Sequence, residues 1–168
     1  MWVFKVEPDG LLKSRFCVQG FSQVAGTDLV SAYAPVCHIP SVRVVLAIAV
    51  SHDWNVIQLD VQTAFRQSEM KEEVYAKQPV GFEKLDLNGQ PYVCKINKSL
   101  YGLKQSPRNW YGTIQHELIT EGFKACMCDP CVYVKDDNSS EVFIASYVDD
   151  LPVSGSSEVS IFPRPRHS

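Results

Sequence analysis

The sequence predicts an α+β fold, a mostly antiparallel sheet with helices packed on one face. Three features predict it. Short apolar runs, alternating or β-branched, recur between turn-forming residues, and two longer segments repeat apolar residues at helical spacing. An apolar run over 142–148 then turns back through Asp149 and Asp150 onto Leu151-Pro152-Val153. With 168 residues, 45% hydrophobic and 11% aromatic, the chain can bury one compact core with room for a small appended lobe.

The elements follow in order. Residues 2–6 and 11–18 alternate apolar and polar side chains on either side of a Pro8-Asp9-Gly10 turn, which predicts a β-hairpin with basic residues on its second arm. A loop rich in turn formers runs from Gly20 to Pro40. Ser41 then caps a helix apolar nearly all round, with Val42, Val45, Leu46 and Ala49 on one face and Val44 and Ile48 on the next, so the helix is expected to be buried. Asp53-Trp54-Asn55 breaks it, and Val56 to Leu59 reads as a central strand delivering Asp60. Short strands are expected around Val74-Tyr75 and over 92–96. Ser106-Pro107 starts a second helix, with the serine as cap, Trp110, Ile114 and Leu118 on its core face and Gly122 at its end. Strands over 131–135 and 142–148 and a short third strand after Asp150 complete the sheet. From Ser156 to Ser168 there is no periodicity, and prolines among basic residues read as an unpacked tail.

Composition narrows the function. A net charge of −3 argues against a freestanding nucleic-acid binder, because neutralising phosphates takes an excess of Lys and Arg. The longest apolar stretch, over 44–50, is too short to span a bilayer, and neither secretion nor a membrane partner is indicated; the compartment stays open between cytoplasm and nucleus. Six cysteines among apolar neighbours read as reduced thiols, and the cluster Cys126, Cys128, Cys131 lacks a fourth ligand for zinc. The four histidines have no metal-site spacing. Trp54 and Trp110 read as core residues.

Asp60 ends one apolar stretch, the adjacent pair Asp149 and Asp150 lies between another and its return some ninety residues later, and the three can converge at one sheet edge. An Asp-Asp pair taken alone is more often a solvated turn than a metal site. Three convergent carboxylates suit two divalent cations, with the backbone carbonyl of Val61 placed to complete a shell, and Mg²⁺ prefers such hard oxygen ligands.

Four motifs in register then resemble one family. LDVQTAF at 59–65, SLYGLKQSPRNW at 99–110, DPCVY at 129–133 and YVDD at 147–150 resemble the reverse transcriptase of copia-type LTR retrotransposons, and VQGFSQ at 18–23, YAPV at 33–36 and QPVGF at 78–82 extend the likeness from Trp2 to about Gly155. The resemblance implies the fingers and palm of a right-hand polymerase over residues 1–155, incomplete before the thumb, followed by the tail at 156–168. It implies Asp60, Asp149 and Asp150 as catalytic, metal-binding carboxylates, Asp150 being the least essential. Two Mg²⁺ ions, or Mn²⁺, are the implied cofactors. Phe65 matches the aromatic beneath the incoming sugar that selects deoxynucleotides. Tyr101, Gly102 and Lys104 match the segment against the nucleotide and templating base, and Lys13 and Arg15 match the cations that grip the triphosphate. The implied partners are an RNA or DNA template with its primer, deoxynucleoside triphosphates, and the thumb and ribonuclease H portions of the polyprotein.

The sequence departs from the family pattern at three places. Arg66-Gln67-Ser68 replaces an apolar residue and an Asn-Gly turn, Pro152 removes a donor from a hairpin arm and would loosen it unless that edge is unpaired, and Pro40 precedes the first helix. The resulting expectation is an RNA-directed DNA polymerase fragment, weak or inactive by itself. The alternative is a catalytically silent retroelement remnant that at most binds nucleic acid or protein. A small metal-dependent phosphohydrolase using the same acids explains the motif order less simply.

Overall fold

A computed structural model describes residues 1–24, 26, 31–137 and 140–156. Along the chain run β1 (Trp2–Val6), β2 (Leu12–Phe16), α1 (Ile39–Ser51), β3 (Val56–Asp60), α2 (Ala64–Gln67), β4 (Tyr75–Lys77), β5 (Val93–Lys95), α3 (Ser106–Thr120), β6 (Lys124–Ala125), β7 (Val132–Asp136), β8 (Glu141–Ala145) and β9 (Asp150–Gly155). They divide into two compact units, Met1–Ala34 with Phe65–Trp110, and Pro35–Ala64 with Tyr111–Ser168. The architecture is mixed α/β, and every strand pair is antiparallel.

In the first unit β1 and β2 form the expected hairpin, in register from Trp2↔Phe16 to Val6↔Leu12. Its turn closes because Gly10, at φ 84°, takes the left-handed conformation that costs a side-chain-bearing residue energy, while the Leu11 amide donates to Asp9 Oδ1 at 3.1 Å. Strand alternation puts Trp2, Phe4 and Phe16 on one face, the Trp2 ring 5.3 Å from Phe16, and Lys5, Lys13 and Arg15 on the other. A separate pair, β4 with β5, flanks a small core of Val74, Ile96 and Leu103 joined by Val18, Met70 and Leu100. The replaced turn after Phe65 is closed by Ser68, whose amide and hydroxyl both donate to the Phe65 carbonyl at 3.1 and 2.8 Å. Ser68 is itself buried.

The second unit is a five-stranded sheet in the order β3-β9-β8-β7-β6. Each of its faces carries an apolar cluster. Tyr133, Val142, Ile144, Leu151 and Val153 pack with Leu118 and Ile114 of α3, whereas the alternating residues of β7 and β8, Val132, Phe143 and Ala145, join Val42 and Val45 of α1. The expectation of helices on one face is therefore corrected, since a central strand such as β8 must cover both sides.

Helix α1 brings a second correction. Only one side of it is buried, at Val45 and Ala49, while Val44 is 58% and Val50 80% exposed. Its start also differs: the helix begins at Ile39, with Pro40 in the first turn where a missing amide hydrogen costs nothing, and His38 rather than Ser41 occupies the cap position. The cap is supplied from far along the chain. Asp129, fully buried, accepts from the His38 amide at 2.9 Å and the Cys131 amide at 3.0 Å, and its Oδ2 lies 3.2 Å from His38 Nδ1. A carboxylate at a helix N-terminus also answers the positive end of the helix dipole.

Ser106 does not cap α3 as expected. Its hydroxyl donates to the Leu100 carbonyl at 2.7 Å, and the first helical bond runs from the Asn109 amide to Gln105. The end is as expected: Gly122, at φ 91°, lets the Phe123 amide turn back to Leu118 at 3.0 Å.

Pro152 sits in β9, between β3 and β8, opposite Gln58. The Val61 amide donates to Asp149, so hydrogen-bonded pairs with β3 fall at odd positions of β9, and an amide at 152 would point toward β8. The β8–β9 ladder ends at Ile144↔Val153, one step short of that position. The missing donor thus meets an unpaired site and does not loosen the β3 ladder. Of the expected tail, Ser156 still bonds Glu141 through amide and hydroxyl at 2.9 Å each, and 157–168 lie outside the described residues. Among the described residues no helix is long and apolar enough to cross a membrane.

Asp129 generates a test. Burial pushes its carboxyl up, but bonds from the Ser41 hydroxyl, the His38 and Cys131 amides and the His38 ring outweigh this and hold it at about 2, against an ordinary 3.8. A depressed carboxyl stabilises the fold above its unfolded value and loses that contribution as pH falls through its folded value. Asp129→Asn is expected to cost on the order of 2 kcal/mol near neutral pH. Urea unfolding of both proteins should show the gap closing between about pH 4 and pH 2.

Candidate active site

The acidic end of the sheet is built by strand register. Asp60, the last residue of β3, stands opposite Asp150, the first of β9, with Leu59 opposite Leu151 just behind. Leu59 and Leu151 enter the core, so alternation turns Asp60 and Asp150 together onto the other face. Gln58, on that same face, donates from Nε2 to Asp150 Oδ1 at 2.8 Å. Asp149 sits in the turn before β9. Tyr147 and Asp150 exchange amide bonds at 2.9 and 3.0 Å, making a two-residue turn of Val148 and Asp149, and the Val61 amide fastens Asp149 through its carbonyl at 2.9 Å.

Two β-branched residues flank these acids in the left-handed region, Val148 at φ 57° and Thr63 at φ 53°. Such residues disfavour that conformation, and strain of this kind gathers at functional sites. Among the described residues no three Asp, Glu, His or Cys side chains stand close enough to hold a metal ion as placed. In kind, the carboxylate oxygens match a hard divalent cation, and the backbone brings two of the three onto one face.

The expected nucleotide-binding residues lie in the first unit, and three of them meet. The Phe65 and Tyr101 rings are 4.8 Å apart at 58°, and the Arg15 guanidinium lies 5.3 Å from the centre of the Tyr101 ring. The stacked ring orients Arg15 while its charge stays available for a bidentate contact. The others are engaged elsewhere. Lys13 pairs with Glu7 at 3.5 Å. Lys104 is held by Gln23, its amide donating to Oε1 at 2.9 Å and its ammonium to the backbone carbonyl at 3.1 Å. Gly102, at φ 96°, packs against its own chain: a Cβ there would overlap the Val18 carbonyl, and one on Gly20 would overlap the Gly102 carbonyl.

Sequence reasoning missed Gln58, Gln23 and Asp129. Gln58 carried a usable signal, a polar residue two positions before Asp60 in a β-branched strand. Asp129, His38 and Cys37 also make a constellation that looks nucleophilic, with Cys37 Sγ 3.7 Å from Asp129 Oδ2. Burial, then the Asp129 charge, pushes that thiol up to about 12, the reverse of an activated nucleophile, so the group is a helix cap.

Fold and site together define a class, a mixed α/β domain with carboxylates presented at the ends of paired antiparallel strands. Residues 1–162 match the family described as reverse transcriptase (RNA-dependent DNA polymerase), and the chain belongs to that family. It is 41% identical over 161 residues to the retrovirus-related Pol polyprotein from transposon TNT 1-94 of Nicotiana tabacum, covering 92% of this chain and 12% of that protein. The retrovirus-related Pol polyprotein from transposon RE1 of Arabidopsis thaliana is 40% identical over 159 residues, covering 92% and 11%. The truncated transposon Ty1-A Gag-Pol polyprotein of Saccharomyces cerevisiae is 32% identical over 152 residues, covering 90% and 12%. The chain thus resembles copia-type retrotransposon Pol polyproteins along most of its own length and spans at most 12% of these three relatives. No solved structure matches it.

The packing of Gly102 predicts that Gly102→Ala destabilises the protein by about 2 kcal/mol or more, from left-handed backbone strain plus the clash with Val18. Thermal denaturation would read this as a lowered midpoint, whereas Gly89→Ala, where no atom lies within 4 Å, should cost only the backbone term.

Proposed function

We propose that this chain is the fingers and palm of an RNA-directed DNA polymerase, transferring deoxynucleotides to a primer 3′-hydroxyl. The observation that carries the reading is the register that seats Asp60 opposite Asp150 with Asp149 fastened to Val61 in the adjoining turn. Asp60, Asp149 and Asp150 would hold Mg²⁺, or Mn²⁺ in its place, and the Val61 carbonyl would complete the shell. When bound, such ions make the attacking hydroxyl a better nucleophile and neutralise charge on the phosphates.

The chain's own residues do the remaining work in this reading. Gln58 orients Asp150, leaving one of its oxygens for a ligand. Phe65, braced by Tyr101, presents a flat ring to the sugar and excludes a 2′-hydroxyl. Arg15 takes the triphosphate, with Lys13 assisting once released from Glu7. Tyr101, Gly102 and Lys104 shape the wall for the base. Template, primer and the other portions of a Pol polyprotein are the partners in this reading.

A second reading is a silent element remnant, favoured by the absence among the described residues of a three-acid group placed to hold a metal. Primer extension separates the two. Purified chain is given an RNA template, a DNA primer, dNTPs and Mg²⁺, beside Asp60→Asn and Asp149→Asn variants. Incorporation reduced by roughly 100-fold or more in both variants supports the polymerase. Incorporation no greater than the variants' background supports the remnant. In an active chain, Phe65→Val should lower discrimination against ribonucleotides by roughly 10-fold or more, read as the ratio of kcat/KM for dNTP and rNTP.

A further inference from the structure

Outside the acidic end, the second unit carries a sulfur pair that polymerase chemistry does not use. Cys126 and Cys128 lie in the turn between β6 and β7, their Sγ atoms 3.0 Å apart, about one ångström beyond the length of a disulfide bond. The turn is held by backbone: the Cys126 amide donates to Val132 at 2.7 Å, the Val132 amide to Asp129 at 3.0 Å, and Asp129 itself is anchored at the start of α1. The two thiols are therefore preoriented and do not meet by chance. They are also accessible, with Cys128 exposed, Cys126 half-buried and Met127 between them fully in solvent.

We propose that Cys126 and Cys128 form a reversible thiol–disulfide pair, oxidised by a low-molecular-weight disulfide such as oxidised glutathione. The Cys126 thiolate attacks one sulfur of that disulfide, breaking its S–S bond, releasing one thiolate and leaving a mixed disulfide on Cys126. Cys128 loses its proton to water and attacks the Cys126 sulfur, expelling the second thiolate. Two protein thiols are oxidised and one small disulfide is reduced to two thiols.

The order of attack follows from the environment. The Cys128 thiol and the amides of residues 128 and 129 hold the Cys126 thiol below its ordinary value, while the hydrogen bond to Cys126 pushes Cys128 up. Reactivity follows the thiolate. The neighbouring Cys37 and Cys131 are excluded: both are buried, and burial pushes their thiols up to about 12 and 11. Closing a loop across a single intervening residue removes little freedom from the unfolded chain, so the crosslink adds little stability and is readily reduced, as suits a responsive pair.

The test uses the full chain in glutathione buffers of rising oxidised fraction, quenched with iodoacetamide and mapped by mass spectrometry. The expected result is loss of two hydrogens on the peptide holding residues 126–128, roughly 10-fold lower alkylation there, and full reversal by dithiothreitol. Cys128→Ser should stop at one glutathione on Cys126. A second probe, phenylarsine oxide, should bind the native chain through this pair and spare both Cys126→Ser and Cys128→Ser. Separate glutathione adducts on both residues of the native chain, or full alkylation of both in excess oxidant, would overturn the proposal.

Discussion

The register of β3 against β9 governs everything placed at the acidic end. Side chains on a strand alternate with a period of two, so a slip of one residue would bury Asp60 where Leu59 now packs and expose the leucine. The hydrophobic core enforces the alignment: Ile57 and Leu59 can pack beside Val153 and Leu151 only when Asp60 faces Asp150. Two carboxylates are thus brought onto one face by the apolar residues behind them, and their mutual repulsion is tolerated because they face away from the core. Gln58 eases the juxtaposition with a donor aimed at one of them.

A second constraint is the buried carboxylate of Asp129, which links the β6–β7 turn to the start of α1 across about ninety residues of sequence. A buried charge is tolerable only when fully hydrogen-bonded, and here amides, a hydroxyl and an imidazole meet that condition. The DPCVY motif then has a physical reason in this chain: the aspartate caps a helix, the proline turns the chain, and Cys131, Val132 and Tyr133 fill the two apolar clusters. One of the segments that carry the family resemblance is thus a structural rivet in this chain.

Much of this was legible in the sequence because it is encoded locally. The Pro8-Asp9-Gly10 hairpin, the strand ending at Asp60, the Trp110-Ile114-Leu118 stripe and the Gly122 stop all rest on periods and turn residues within a few positions. The parts misread depend on distant partners. Ser106 looked like a cap but donates to Leu100, Ser41 looked like a cap but serves Asp129, and α1 looked buried all round although only its Val45–Ala49 side meets the sheet. For the candidate site, motif positions singled out Arg15, Phe65 and Tyr101 separately but not their contact, and the engagement of Lys104 by Gln23, eighty-one residues away, leaves no mark in any local pattern either.

Pro152 has one more meaning. It occupies a position of β9 whose amide would point to the open end of the β8 ladder. Were β9 to shift by one residue along β8, that blank would turn toward β3 and leave one of its carbonyls without a donor. The imino acid therefore acts as a keyed tooth, harmless in the native alignment and obstructive in the neighbouring one, so the same misthreading that would turn Asp150 inward is penalised by the backbone as well as by the core.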